Sequence, residues 1–200
     1  MAKYTGPKHK RSRREGVNLT GTTSASLERR LDVPPGGKKS TRRRNPSDYA
    51  MGLRAKQRVK REYGMMERQF VKFFEEARRK RGSTGLNLLQ LLERRLDNVV
   101  YRLGFARTRP MARQLVNHRH ILVNGKVVNI PSYLVKIGDV IELDEAARKM
   151  PDVEEDLESG RALPSWLTRD GTTGRVTGTA RREDVAPDIR EDLIVEFYAR

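Results

Sequence analysis

Residues 86–143 read LNLLQLLERRLDNVVYRLGFARTRPMARQLVNHRHILVNGKVVNIPSYLVKIGDVIEL, and the pattern of apolar positions in them decides the fold. Leu88, Leu92, Leu96, Val99 or Val100 and Leu103 recur at three- and four-residue steps, the period of a helix with one apolar face. Asn87 and Gln90 have the spacing of a capping box, and Gly104 suits the end of that helix. Thr108 predicts the cap of a second helix, with Pro110 tolerated in its first turn. Its apolar side carries Met111 and Leu115, supported by Ala112 or Val116. Ile121-Leu122-Val123 and Lys126-Val127-Val128 then flank Asn124-Gly125, the strongest short hairpin signal. Tyr133 to Ile137 and Val140 to Leu143, on either side of the turn Gly138-Asp139, predict further strands. Two helices followed by a small sheet make the class α+β.

The polar residues of this unit are also periodic. Arg94, Asn98 and Arg102 repeat every four residues beside Arg95, and Arg109, Arg113 and Asn117 form a second such stripe. If the apolar sides of the helices pack together, the arginines share an outer surface. Guanidinium forks match phosphate oxygens in pairs, so such a surface suits a folded nucleic-acid backbone. Glu93 and Asp97 are the only acids between Gly82 and Val135, which predicts too few carboxylates to pair the arginines with one another.

Working outward, Ser47 or Asp48 caps a helix carrying Met51, Leu53 and Val59 that stops near Tyr63-Gly64. A further helix from about Met65 aligns Met66, Phe70, Phe73, Phe74 and Ala77, and ends in Arg78-Arg79-Lys80-Arg81 before Gly82. Residues 1–45 lack apolar periodicity. Lys8, Lys10, Arg11, Arg13, Arg14, Arg42, Arg43 and Arg44 stand there among Gly, Pro, Ser and Thr, which predicts an extended basic arm that orders on nucleic acid. Gly36-Gly37-Lys38 is no phosphate-binding loop, since Asp32 stands where that motif needs Gly and Lys39 where it needs Ser or Thr. Asp152, Glu154, Glu155, Asp156 and Glu158 follow Pro151 and read as a solvated helix face available to basic neighbours. Trp166 and a strand from Leu193 to Tyr198 are expected to pack against the helical domain.

Whole-chain chemistry agrees with a polyanion partner. Of 200 residues, 42 are Lys or Arg and 26 Asp or Glu, a net charge of +16. The first three quarters of the chain carry +9, +7 and +5 and the last carries −5, so the basic surplus has a direction. The absence of cysteine excludes disulfides, thiolate nucleophiles and Cys-containing zinc sites. No apolar run has the length of a membrane span, and the basic N-terminus lacks the apolar stretch of a secretory signal, so a soluble intracellular protein is expected. His9, His118 and His120 are too few and too scattered for a metal site, and no cofactor is expected.

Arg95-Leu96-Asp97-Asn98-Val99-Val100-Tyr101-Arg102-Leu103-Gly104-Phe105, then Thr108-Arg109, Ala112-Arg113-Gln114-Leu115-Val116, His118 and Val123-Asn124-Gly125, resemble the RNA-binding domain of the bacterial-type S-four family of small-subunit ribosomal proteins. The resemblance continues through Ser12-Arg13-Arg14-Glu15-Gly16, Pro46-Ser47-Asp48-Tyr49, Lys56-Gln57, Tyr63-Gly64, Glu67-Arg68-Gln69-Phe70, Pro164-Ser165-Trp166-Leu167 and Leu193-Ile194-Val195-Glu196-Phe197-Tyr198, and so covers the chain. It implies three parts: an arm over 1–45, a helical domain over 46–92 completed by 150–200, and an inserted RNA-binding domain over 93–149. It implies a structural constituent of the small ribosomal subunit in the cytoplasm, a primary binder of small-subunit ribosomal RNA that grips a multi-helix junction early in assembly. The implied neighbours are proteins S-five and S-three and the messenger RNA where it enters the subunit, with an effect on decoding accuracy.

By motif, the RNA-facing residues implied are Arg94, Arg95, Arg102, Arg107, Thr108, Arg109, Arg113, Gln114, Asn117, His118, Arg119 and Lys126. Many members hold zinc with N-terminal cysteines, so this chain resembles a zinc-free variant. Two alternatives use the same RNA-binding unit. A pseudouridine synthase is opposed by the helical setting of Asp97 and by the lack of a second large domain. A minimal heat-shock RNA chaperone is opposed by the arm and the long helical segment.

Overall fold

The computed structural model describes residues 4–36 and 45–199, so Lys38 and Arg42 to Arg44 lie outside the described residues. The chain divides into two compact units, residues 1–85 with 187–200, and residues 86–186. In chain order the first holds α1 (Lys8–Glu15), α2 (Ala25–Glu28), α3 (Asp48–Glu62) and α4 (Glu67–Arg79), after which α5 (Thr84–Glu93) leads into the second. There follow α6 (Leu96–Arg102), α7 (Arg109–Asn117), β1 (Ile121–Val123), β2 (Lys126–Val127), β3 (Val140–Leu143), α8 (Glu145–Arg148), α9 (Pro151–Glu158), β4 (Leu167–Asp170) and β5 (Thr173–Val176). The chain returns to the first unit with α10 (Glu191–Ala199).

In the first unit the Ser47 hydroxyl accepts from Ala50 N and starts α3. Phe70, Phe74 and Ala77 bury one face of α4, while Met66 at the expected head of that stripe is exposed. The C-terminal segment is a helix, not the expected strand. Leu193, Ile194, Phe197 and Tyr198 recur at helical steps, and Glu191 and Asp192 suit the positive end of its dipole. Tyr198 stacks on Phe74 with ring centroids 4.4 Å apart.

The N-terminal segment is only partly the extended arm expected. Ser12, Leu19 and Leu27 are buried, Arg13 donates to the carbonyls of Val33 (2.8 Å) and Pro34 (3.3 Å), and Glu15 pairs with Arg61. Side-chain donors closing on backbone carbonyls fold a segment with almost no apolar core of its own. Arg13 thus holds the chain, and Arg11 lies over the Tyr4 ring, whereas Lys8, Lys10 and Arg14 are exposed.

Glu67 joins three elements: Lys56 and Lys60 each donate to it at 2.6 Å, and the Tyr198 hydroxyl donates at 3.3 Å. Burial pushes the Glu67 carboxyl up, but the two ammonium groups outweigh it and hold it below its ordinary 4.5. A carboxyl depressed on folding stabilises above its unfolded value, and that contribution is lost as pH falls through the folded value. The thermal midpoints of wild type and Glu67→Gln should therefore separate above pH 4.5 and converge in stronger acid. Parallel curves throughout would mean that the ammonium groups leave the carboxyl unperturbed.

In the second unit the expected single helix is broken. α5 starts at Thr84, which places Asn87 inside the helix and not at its start. Arg95 is extended (φ −67°, ψ 136°) and bridges Leu134. Leu96 N donates to Tyr133 O (2.8 Å), Asp97 N to Pro131 O (3.1 Å) and Val135 N to Arg94 O (3.0 Å). The carbonyls of Pro131 and Tyr133 and the N–H of Val135 are taken up by this break, and Tyr133 to Ile137 forms no strand of the sheet.

The sheet runs β2-β1-β3-β5-β4 with every neighbour antiparallel. Asn124 (φ 51°) and Gly125 (φ 73°) make the tight turn of the β1–β2 hairpin. α6 and α7 bury Leu96, Val99, Val100, Leu103, Ala112, Leu115 and Val116 against Ile121, Val123, Ile141 and Leu143. Val153, Trp166, Leu167 and Val176 lie in the same core. Residues 150–186 therefore belong with the sheet, not with the helical domain as the expected boundary at 149 had them, and Trp166 with them.

Candidate nucleic-acid interface

Two buried acids organise the polar side of α6 and α7. Glu93, fully buried, accepts from Arg102 Nε (2.9 Å) and Nη2 (2.8 Å) and from Asn98 Nδ2 (2.8 Å). Asp97 accepts from Arg95 Nε (3.1 Å) and Nη2 (2.7 Å), and lies 3.6 Å from Arg113 Nη1. The expectation that these acids are too few is wrong, because a carboxylate has lone pairs for more than one guanidinium. Arg95 is the clearest correction: it is 0% exposed and faces the interior, so it cannot meet RNA. A neighbouring acid two residues on, at the foot of a helix, was the signal for that turn inward.

The other predicted residues fall into two groups. Arg107, Gln114, Asn117, His118, Arg119 and Lys126 are exposed, while Arg94, Arg102, Thr108, Arg109 and Arg113 are part-buried. Thr108 caps α7 by accepting from Met111 N (3.3 Å). Arg94 Nε donates to Val135 O (2.9 Å) and is partly engaged in the break. Arg109 Nε donates to Asn98 Oδ1 (2.9 Å), and its guanidinium sits 4.6 Å from the Tyr101 ring centre. Burial lowers the Arg113 pKa against the pull of Asp97, and Arg95 lowers it further. At the other end of α7, His118 and Arg119 occupy the negative pole of the helix, with Arg119 in the left-handed region (φ 70°).

Arg107 faces acids of α9, 3.3 Å from Asp152 and 4.0 Å from Glu155, both exposed pairs that contribute little and exchange readily. Its backbone N donates to buried Asp156 (2.6 Å), so α9 is not the uniformly solvated acidic face expected. Burial pushes the Asp156 carboxyl up, and the Arg107 N–H and the charges of Arg107 and Arg161 offset part of that.

Sequence reasoning missed two structural arginines. Arg161 donates to the carbonyls of Tyr101, Ala106 and Arg107 at 3.1–3.3 Å, and Arg169 to that of Leu103 at 2.9 Å. They satisfy the carbonyl end of α6 from a distant part of the chain, and no local pattern announces them. Among the described residues no group of three or more His, Asp or Glu side chains is placed to hold a metal ion, and no helix is long and apolar enough to cross a membrane.

Residues 94–141 match the S4 domain, and residues 3–93 match the Ribosomal protein S4/S9 N-terminal domain. Over its full length the chain is 50% identical to the whole small ribosomal subunit protein uS4 of Thermoanaerobacter sp. (strain X514). It is 49% identical, again with both chains fully covered, to the proteins of that name from Polaromonas naphthalenivorans and Chromobacterium violaceum over 207 and 208 residues. Two adjoining domain matches in order, full-length relatives at this identity, and a helix pair leading into a hairpin agree: the chain belongs to the uS4 family of small ribosomal subunit proteins.

Proposed function

We propose that the chain is a structural constituent of the small ribosomal subunit that binds small-subunit ribosomal RNA through α7, the β1–β2 hairpin and the exposed cations of its N-terminal segment. One observation carries this reading: both acids of residues 83–138 are buried, so the cations which that stretch exposes have no exposed carboxylate of its own beside them. Exposed Arg107, Arg119, Lys126 and part-exposed Arg109 and Arg113 meet phosphates, while Gln114, Asn117 and His118 supply neutral and titratable contacts. No chemistry is performed; binding energy orders an RNA junction early in assembly. Contact with S-five, S-three and entering messenger RNA, and an influence on decoding accuracy, belong to the same reading.

Probing small-subunit ribosomal RNA with and without the full chain tests it. The expected footprint is confined to one helical junction, and log affinity falls with log salt by roughly 0.7–0.9 per phosphate contact. A scattered footprint, or affinity indifferent to salt, overturns the reading.

A further inference from the structure

We infer that Asn98 is a positioning residue that sets Arg109 for its phosphate without touching RNA itself. The inference rests on the reading of this surface as an RNA interface and adds the means by which one of its arginines is oriented. Asn98 is 1% exposed, beyond the reach of any ligand. Its Nδ2 donates to the Glu93 carbonyl (3.0 Å) and to Glu93 Oε2 (2.8 Å), two oxygens that can only accept. That fixes the amide's orientation and leaves Oδ1 aimed at Arg109 Nε, 2.9 Å away. Glu93 is held in turn by the Arg102 fork, so the relay is anchored at a fully buried carboxylate. The Arg109 guanidinium carbon lies over the Tyr101 ring, 4.6 Å from its centre.

With Nε bonded to Asn98 and the guanidinium held over the Tyr101 ring, the planar fork has lost much of its rotational freedom before RNA arrives. An arginine restrained in this way gives up less entropy on binding than one waving in solvent. Asn98 therefore raises RNA affinity through Arg109 alone, and the two residues act as a single unit. Sequence spacing put Asn98 in the arginine stripe as an outward residue; its burial gives it this indirect part instead.

The test is a double-mutant cycle in the full chain, binding small-subunit ribosomal RNA well below each variant's thermal midpoint. Asn98→Ala and Arg109→Ala should each weaken binding about tenfold, and the double variant no further. Additive losses, or an Asn98→Ala protein that binds as tightly as wild type, overturn the inference while the interface reading stands. Arg109→Ala binding like wild type overturns both the inference and the assignment of Arg109 to the interface. A second measurement needs no Asn98 variant: in the free wild-type protein the Arg109 Nε–H resonance, identified by its loss in Arg109→Ala, should exchange slowly with water. Exchange as fast as that of exposed Arg14 overturns the inference.

Discussion

Asp97→Ala lowers the stability of the 86–186 unit by about 3–5 kcal/mol, the cost of stripping a buried ion pair of one partner. Arg95 is wholly buried and directs Nε and Nη2 at Asp97, so the substitution removes the carboxylate that a buried guanidinium faces. Arg113 loses the same carboxylate at 3.6 Å. Trp166 is the chain's one tryptophan and sits in the core of this unit, so its fluorescence in a urea titration reads the loss directly. Arg95→Leu together with Asp97→Ala should recover much of it, because an apolar pair avoids the desolvation of both charges. A midpoint for Asp97→Ala within experimental scatter of wild type would show that the Arg95–Asp97 pair contributes nothing to the stability of this unit.

That break marks where the sequence was readable and where it was not. The caps at Ser47 and Thr108 and the turn at Asn124-Gly125 were legible because each depends on a few adjacent residues. So was the α6–α7 pair with its hairpin, whose apolar periods are strong and local. The unbroken helical period of Leu88, Leu92, Leu96, Val99 or Val100 and Leu103 concealed the break because the cause lies in the segment 131–135, which bonds to it from more than thirty residues away. The same contacts removed a strand that β-propensity alone predicted at Tyr133 to Ile137. Apolar Leu193 to Tyr198 is short enough to satisfy either period, and packing on Phe74 decided for the helix.

The basic character of α6 and α7 was legible, the burial of each polar residue less so. Counting acids against arginines treated each carboxylate as spent on one partner, whereas Glu93 serves Arg102 and Asn98, and Asp97 serves Arg95 and Arg113. A fourfold repeat on a helix names a face, but the backbone break turns Arg95 and Asn98 inward while Arg109 stays part-exposed. Burial, not charge, separates the arginines that reach solvent from those that turn into the core.

Trp166→Ala should lower the stability of the 86–186 unit by about 3–5 kcal/mol, and the location of the damage distinguishes two partitions of the chain. Trp166 is 2% exposed, its carbonyl accepts from Thr177 N at 2.9 Å, and β4 begins at the next residue. It shares a core with Leu96, Leu103, Ile141 and Val176, so the void opens under α6 and the sheet. Collapse is resisted on the sheet side, where Gly174 of β5 already lies so close to Leu103 that a side chain there would run into it. Hydrogen exchange resolved by peptide separates the units in the intact chain. Protection should fall in residues 96–103, 121–123 and 140–143 and persist in residues 48–79. The reverse pattern would return residues 150–186 to the helical domain. A loss shared equally by both would mean that the chain unfolds as one cooperative body, in which case the sheet's core sets the stability of the whole protein.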